Sequence, residues 1–349
     1  MQGNLKYFKG SILLSLLGGV AAFGVGYYYK GTMSGAFAAL FLATILSVLE
    51  ISLSFDNAVV NAIVLKKMTP LWQRRFLTWG ILIAVFGMRL VFPLILVGVV
   101  AHLDPITALT LAATKPDEYA QIMLSAHVSI AAYGGAFLMM VALKYFFEDA
   151  KEVFWIRIVE RPASLMGKME GIEIGIVLIM LYLFSQYQVD ADKMTFLISG
   201  IWGVVTYVIV DGIGAFLNAP DENGVEGTID LNKASMGMFL YLEVLDASFS
   251  FDGVVGAFAI TNNLFIIMIG LGVGAMFVRS ITIMLVERGT LGEFRYLEHG
   301  AFYAIGVLSV IMFAGTVQHI PEVITGLLGA VLIGLSLWSS IAWNKKNPA

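Results

Sequence analysis

Ten apolar stretches, each near the about 20 residues that cross a bilayer as a helix, follow one another along this chain. They fall at about 8–29, 35–65, 76–100, 122–144, 171–189, 196–217, 234–261, 264–286, 299–317 and 323–343. Backbone inside lipid must satisfy its own polar groups, so such a run dictates an all-α, polytopic membrane protein with the lipid bilayer as its first partner. Composition agrees: 59% of the 349 residues are hydrophobic and only 13% are charged, against about a quarter in soluble domains. The opening MQGNLKYFKG leads into a stretch too long and wrongly flanked for a cleaved signal peptide. It is read as a retained first span.

The basic residues give an independent check on the count, because loops alternate sides and Lys and Arg gather on the cytoplasmic side. With the N-terminus inside, sixteen fall in cytoplasmic segments, three (Lys30, Lys115, Lys193) fall outside, and Arg89 and Arg279 lie within spans, completing the 21. Ten spans with both termini cytoplasmic fit this split. Only TNN separates spans seven and eight, and the acidic loop DENGVEGTID is placed inside by alternation alone. Residues 145–170 alternate charged and apolar side chains and read as an interfacial amphipathic helix or a solvated connector.

A repeat organises the spans. SVLEISLSFDN at 47–57 returns as EVLDASFSFDG at 243–253, and over 47–64 against 243–260 seven of eighteen positions are identical: Val48/Val244, Leu49/Leu245, Ser52/Ser248, Ser54/Ser250, Phe55/Phe251, Asp56/Asp252 and Val59/Val255. Arg89 and Arg279 follow in the next spans, and His127 and His299 open spans four and nine. Span two then matches span seven, giving halves of five spans, 1–190 and 191–349. An odd number per half makes the repeats inverted. The spacing predicts that Glu50 and Asp56 meet Asp246 and Asp252 near the midplane.

On a regular helix, Ser47, Glu50, Ser54, Asn57 and Asn61 form one polar stripe, mirrored by Glu243, Asp246 and Ser250. Asp56 lies about 120° off that stripe at ~100° per residue. A break near Ser-Phe-Asp would bring it back, as in transporters with discontinuous helices; an unbroken helix with Asp56 facing another partner is the alternative. Each acid at the bilayer centre costs roughly 2.5–3.5 kcal/mol, so five would cost on the order of 10 kcal/mol if nothing neutralised them. Without cysteine, and with four His in all, thiolate and His-rich zinc or copper sites are set aside. The carboxylate and amide oxygens of Glu50, Asp56, Asn57, Glu243, Asp246 and Asp252 suit hard cations such as Mn²⁺, Mg²⁺ or Ca²⁺, with Ser54 and Ser250 supporting them and Arg89 and Arg279 as structural or gating partners. A purely structural network, in which the arginines pair with two carboxylates, is the alternative, although two arginines cannot balance five acids.

Other features carry less. Asp211 in VIVDGIGAF reads as a polar span end, and no companion motif of an intramembrane protease accompanies it, so no enzyme is expected. His127 and His299 read as hydrogen-bonding between helices rather than as metal ligands, since neither has a second ligand at i+3 or i+4; GLGVGAMF reads as close helix packing, and the net charge of -4 gives no reason to expect nucleic acid.

LEISLSFDNAVV paired with LEVLDASFSFDGVVGAF, together with RYLEHGA and GGAFLMMVALKYFF, resembles the TerC superfamily of integral membrane proteins over about 35–315, and within it a longer branch known as a domain of unknown function. That resemblance implies a bacterial inner-membrane protein linked to manganese export, to metal loading of secreted enzymes and to tellurite resistance. It implies motif positions Glu50, Asp56 and Asn57, then Glu243, Asp246 and Asp252, with Gly253 departing where the first copy has Asn57. The expectation is an exporter of a divalent cation, Mn²⁺ favoured, working by metal/proton exchange without an organic cofactor. A non-transporting membrane scaffold or stress-response component is the alternative. Carboxylates would repel the tellurite oxyanion. The oligomeric state is left open.

Overall fold

The computed structural model describes residues 2–80, 82–218, 230–289, 293–318 and 320–347, with the side chain of Asp252 outside the described set, as is 221–229 of the acidic loop. Helices, turns and connectors make up all of it, with no strand among the described residues. The order is α1 (Gln2–Lys30), α2 (Met33–Leu53), α3 (Phe55–Leu65), α4 (Pro70–Arg75), two π-helical segments (Phe76–Gly80 and Ile83–Val91), α5 (Phe92–Val100), α6 (Pro105–Thr114), α7 (Pro116–Ser125) and α8 (His127–Phe146). Then come α9 (Arg157–Met166), α10 (Ile172–Ser185), α11 (Asp190–Leu217), α12 (Leu231–Ile260), α13 (Leu264–Arg288), α14 (Leu297–Gly315) and α15 (Glu322–Lys346).

Helix ends fall where the local chemistry stops helices. Gly31, at φ +64°, turns the chain after α1 in a conformation that costs glycine little, and the Thr32 hydroxyl then caps the Gly35 amide of α2. The short TNN does separate two helices: Asn263 accepts from the amides of Phe265 and Ile266, starting α13 with three residues between it and the end of α12.

Among the described residues eight segments are long and apolar enough to cross a membrane: Leu5–Lys30, Met33–Leu53, Pro70–Ala101, His127–Phe146, Asp190–Leu217, Leu264–Arg288, Leu297–Gly315 and Ile324–Lys346. The chain is thus an integral membrane protein. Of the ten expected spans, the remaining two fall on α10, only 14 residues long, and on α12, whose 30 residues have the length but whose apolarity is diluted by Glu243, Asp246 and the serines beside them. Exposed Leu13, Leu16 and Val20 on α1, Phe37 and Phe41 on α2 and Ile179 and Tyr182 on α10 form the apolar exterior that lipid covers.

Two apolar clusters build the interior. One joins α3, α8, α11, α12 and α14 through Val59, Phe137, Tyr207, Leu245 and Phe313; the other joins α2, α7, α12 and α13 through Leu46, Tyr119, Phe258 and Ile267. Pairings are reciprocal: α2 packs on α13 while α12 packs on the π-helical part of span 70–101, and α3 packs on α14 while α12 packs on α8. The glycines of GLGVGAMF act as expected. A Cβ at Gly270 would lie 2.7 Å from that of Leu46, and one at Gly274 would lie 2.5 Å from the Glu50 Cβ, so α13 meets α2 only because both positions lack a side chain.

The expected amphipathic helix over 145–170 is shorter than the pattern suggests. Residues 147–156 are non-helical, and α9 turns its polar residues Glu160 and Ser164 inward while Ile158, Val159 and Leu165 are exposed. The Glu160 carboxylate accepts from the amides of Trp155 (3.1 Å) and Ile156 (3.0 Å) and pairs with His299 Nε2 at 3.3 Å, which also lies 2.9 Å from the Val153 carbonyl. Burial raises the Glu160 pKa, but the His299 hydrogen bond and the two amides outweigh it and hold the carboxyl below the usual carboxylate range. Beside it, Lys151 sits 3.3 Å over the Tyr145 ring, and burial pushes its ammonium down to about 8 against the pull of Glu160, Glu298 and Glu148. His299 thus bonds between helices, joining α14 to α9 and to the connector before it.

Candidate functional site

The polar stripe of the first motif copy survives folding. Ser47 donates to the Ala43 carbonyl of its own helix and to the Gly270 carbonyl, both at 2.8 Å, tying α2 to α13. One to four turns further on, Glu50, Ser54, Asn57 and Asn61 line a single cavity of about 40 Å³, roomy enough for water or an ion. Glu243 and Asp246 enter from α12, Gly80, Ala84 and Arg89 from the π-helical segments, and Arg279 and Thr282 from α13. Four of the six expected ligand residues (Glu50, Asn57, Glu243, Asp246) are thus brought together, with Ser54 and both arginines.

Asp56 is not among them. The first helix does break, at Ser54 (φ -104°, ψ 17°), yet the Ser54 amide still bonds the Glu50 carbonyl and the Ala58 amide bonds the Ser54 carbonyl. Helical spacing therefore continues across the joint, and the offset of Asp56 from the stripe is preserved. Its buried side chain lines a separate small cavity with Ala304 and Leu308 of α14 and Gly326 and Gly329 of α15, and its Oδ1 accepts from the Asn57 amide at 2.9 Å. In the second copy the expected break is absent, since α12 runs continuously through Phe251. Ser250 is buried but does not line the cavity. Asp252 lies on α12, and its side chain is outside the described residues.

Within the cavity the two copies interlock. Asn57 Nδ2 donates to Asp246 Oδ1 at 2.6 Å. At the equivalent position of the other copy, a Cβ on Gly253 would lie 3.4 Å from Glu50 Oε2. Each acid thus faces the residue that lies seven positions beyond its counterpart, and the departure at Gly253 leaves room for the Glu50 carboxylate. Glu50 also accepts from Ser54 Oγ at 3.2 Å and from Arg89 Nη2 in an ion pair whose side chains are 5% and 3% exposed. Arg89 Nη1 donates to the Ala84 carbonyl, and Arg279 Nη2 to that of Leu77.

Five buried polar atoms around this cavity have no hydrogen-bond partner: Asn57 Oδ1, Asn61 Oδ1, Glu243 Oε1, Arg89 Nε and Arg279 Nε. Buried polar groups are nearly always paired, and a concentration of exceptions calls for an explanation such as an ion or water. The three oxygens are acceptors, suited to a cation or a hydrogen-bond donor. Among the described residues no three Asp, Glu or His side chains close around a metal position by themselves. Amide oxygens would have to complete an oxygen-ligand shell.

The π-helical stretch was not anticipated. Hydropathy reads the same for α- and π-helices, but Pro93 offers a local cue, because it removes an amide that an α-helix would use. Gly80 lies there against Glu243 Oε1, where a Cβ would come within 2.5 Å.

These features define a helical integral membrane protein with a buried cavity of mixed charge between the two copies of its acidic motif. The sequence pattern of the family described as "Protein of unknown function (DUF475)" matches residues 55–347, and the chain belongs to that family. No curated protein and no solved structure matches it.

Proposed function

We propose that the protein transports a divalent cation through the cavity between the motif copies, with Mn²⁺ favoured over Mg²⁺ and Ca²⁺. The observation that carries this reading is the set of unpaired buried oxygens of Asn57, Asn61 and Glu243, beside the carboxylates of Glu50 and Asp246. An all-oxygen donor set of this kind suits a hard cation. The choice of Mn²⁺ and the outward direction rest on the TerC resemblance alone, as does the bacterial inner membrane. Both termini are cytoplasmic in this reading. The reciprocal helix pairings and the crossed Asn57–Asp246 and Gly253–Glu50 contacts support inverted repeats, and the cation exchanges for protons as the carboxylates release and regain them.

The test is flux in proteoliposomes across a panel of Mn²⁺, Mg²⁺ and Ca²⁺. Mn²⁺ movement is expected from the wild-type chain and not from Glu243→Gln; absence of flux for every cation overturns the reading. One observation favours a second reading, a non-transporting scaffold: Arg89 and Asn57 already give Glu50 and Asp246 partners from within the chain. In that case Glu50→Gln unfolds the protein, and deletion of the gene leaves cellular metal content unchanged.

A further inference from the structure

The cavity holds three carboxylates (Glu50, Glu243, Asp246) and two guanidinium groups (Arg89, Arg279). With all five ionised it carries one excess negative charge; a divalent cation added to all five leaves one excess positive charge. With one arginine withdrawn, the same cation brings the cavity to neutrality, which a low-dielectric setting favours strongly. The arginines are not equivalent in this respect. Among the described residues Arg279 donates only to the Leu77 carbonyl, whereas Arg89 sits on the Glu50 carboxylate, which the cation reading assigns to the ion.

The backbone that carries Arg89 offers a means of moving it. Ile83–Val91 is π-helical, with the Phe92 amide bonding the Gly87 carbonyl five residues back. Segments of this kind are rare and concentrate at functional sites. Reversion to α geometry turns the residues beyond it by about 100° for each residue taken up. Arg89 lies near the far end of the segment, so a small change in winding carries its guanidinium away from Glu50.

Resting on the cation reading, we propose that Arg89 is a tethered competitor: it occupies the cation's place at Glu50 in the empty protein and withdraws from the cavity when a divalent ion binds. Arg89 is then a positioning and gating residue for the transported ion.

Two measurements test this in nanodiscs, with Mn²⁺ as the probe. Calorimetry compares the wild type with Arg89→Gln; with the arginine-out form a tenth or less of the empty population, the variant binds about 10-fold tighter or more because it no longer has to displace a side chain. Phenylglyoxal labelling of the wild type, read by mass spectrometry at Arg89, is expected to rise with saturating Mn²⁺. Unchanged or weaker affinity in a folded Arg89→Gln overturns the inference, and so does labelling that fails to rise. Should the variant not fold, the wild-type labelling decides alone. Absence of Mn²⁺ binding in both forms instead overturns the cation reading itself, and the inference with it.

Discussion

In the first motif copy the helix stops at Ser54, and Glu50 is locked to Arg89; in the second, α12 runs through without interruption, and neither Glu243 nor Asp246 has an ion-pair partner among the described residues. Two related sequences thus give a jointed, ion-paired element facing a continuous one whose acids lack an ion pair. On the proposed cation reading such a site divides the labour: the second copy would supply the negative charge that attracts the ion, and the first the parts that rearrange around it.

Four substitutions would break or sharpen that contrast. The largest effect is expected at Glu243, whose Oε1 has no partner: Glu243→Gln should lower Mn²⁺ flux by about 100-fold or more, beyond the usual penalty for disturbing a ligand's supporting contacts, as read in proteoliposomes with expression unchanged. Asn57→Ala removes the bond that joins the copies and should weaken Mn²⁺ binding by about 10-fold, measured by calorimetry. Gly274→Ala places a methyl group against the Glu50 side chain; overpacking of this kind costs about 1–3 kcal/mol, which a lowered Tm of the purified protein would report. The smallest effect on affinity is expected at Asp56. Because its side chain faces α14 and α15, Asp56→Asn should leave the apparent KM for Mn²⁺ within about two-fold and act on turnover. A large change in KM would put Asp56 back beside Glu50 in the transporting state.

The stripe from Ser47 to Asn61 was legible in the sequence because helical periodicity alone places those residues on one side, and the cavity confirms it for the four members from Glu50 onward. Asp56 shows where such reasoning runs out. Periodicity gave its offset correctly, but whether a break would cancel that offset depended on hydrogen bonds across Ser54, which residue types do not specify. The connector was similarly half legible: alternating charge announced an amphipathic element, whereas the inward turn of Glu160 depends on His299, a partner distant in sequence. The winding of Phe76–Gly80 and Ile83–Val91 was hidden because side-chain polarity carries no record of backbone hydrogen-bond spacing.

The lining of the cavity has its own consequence. On the proposed cation reading, an ion seated among Glu50, Asn57, Glu243 and Asp246 exchanges part of its water shell for protein oxygens. Mg²⁺ dehydrates reluctantly, so such a site would sort ions by how readily they release water as well as by charge.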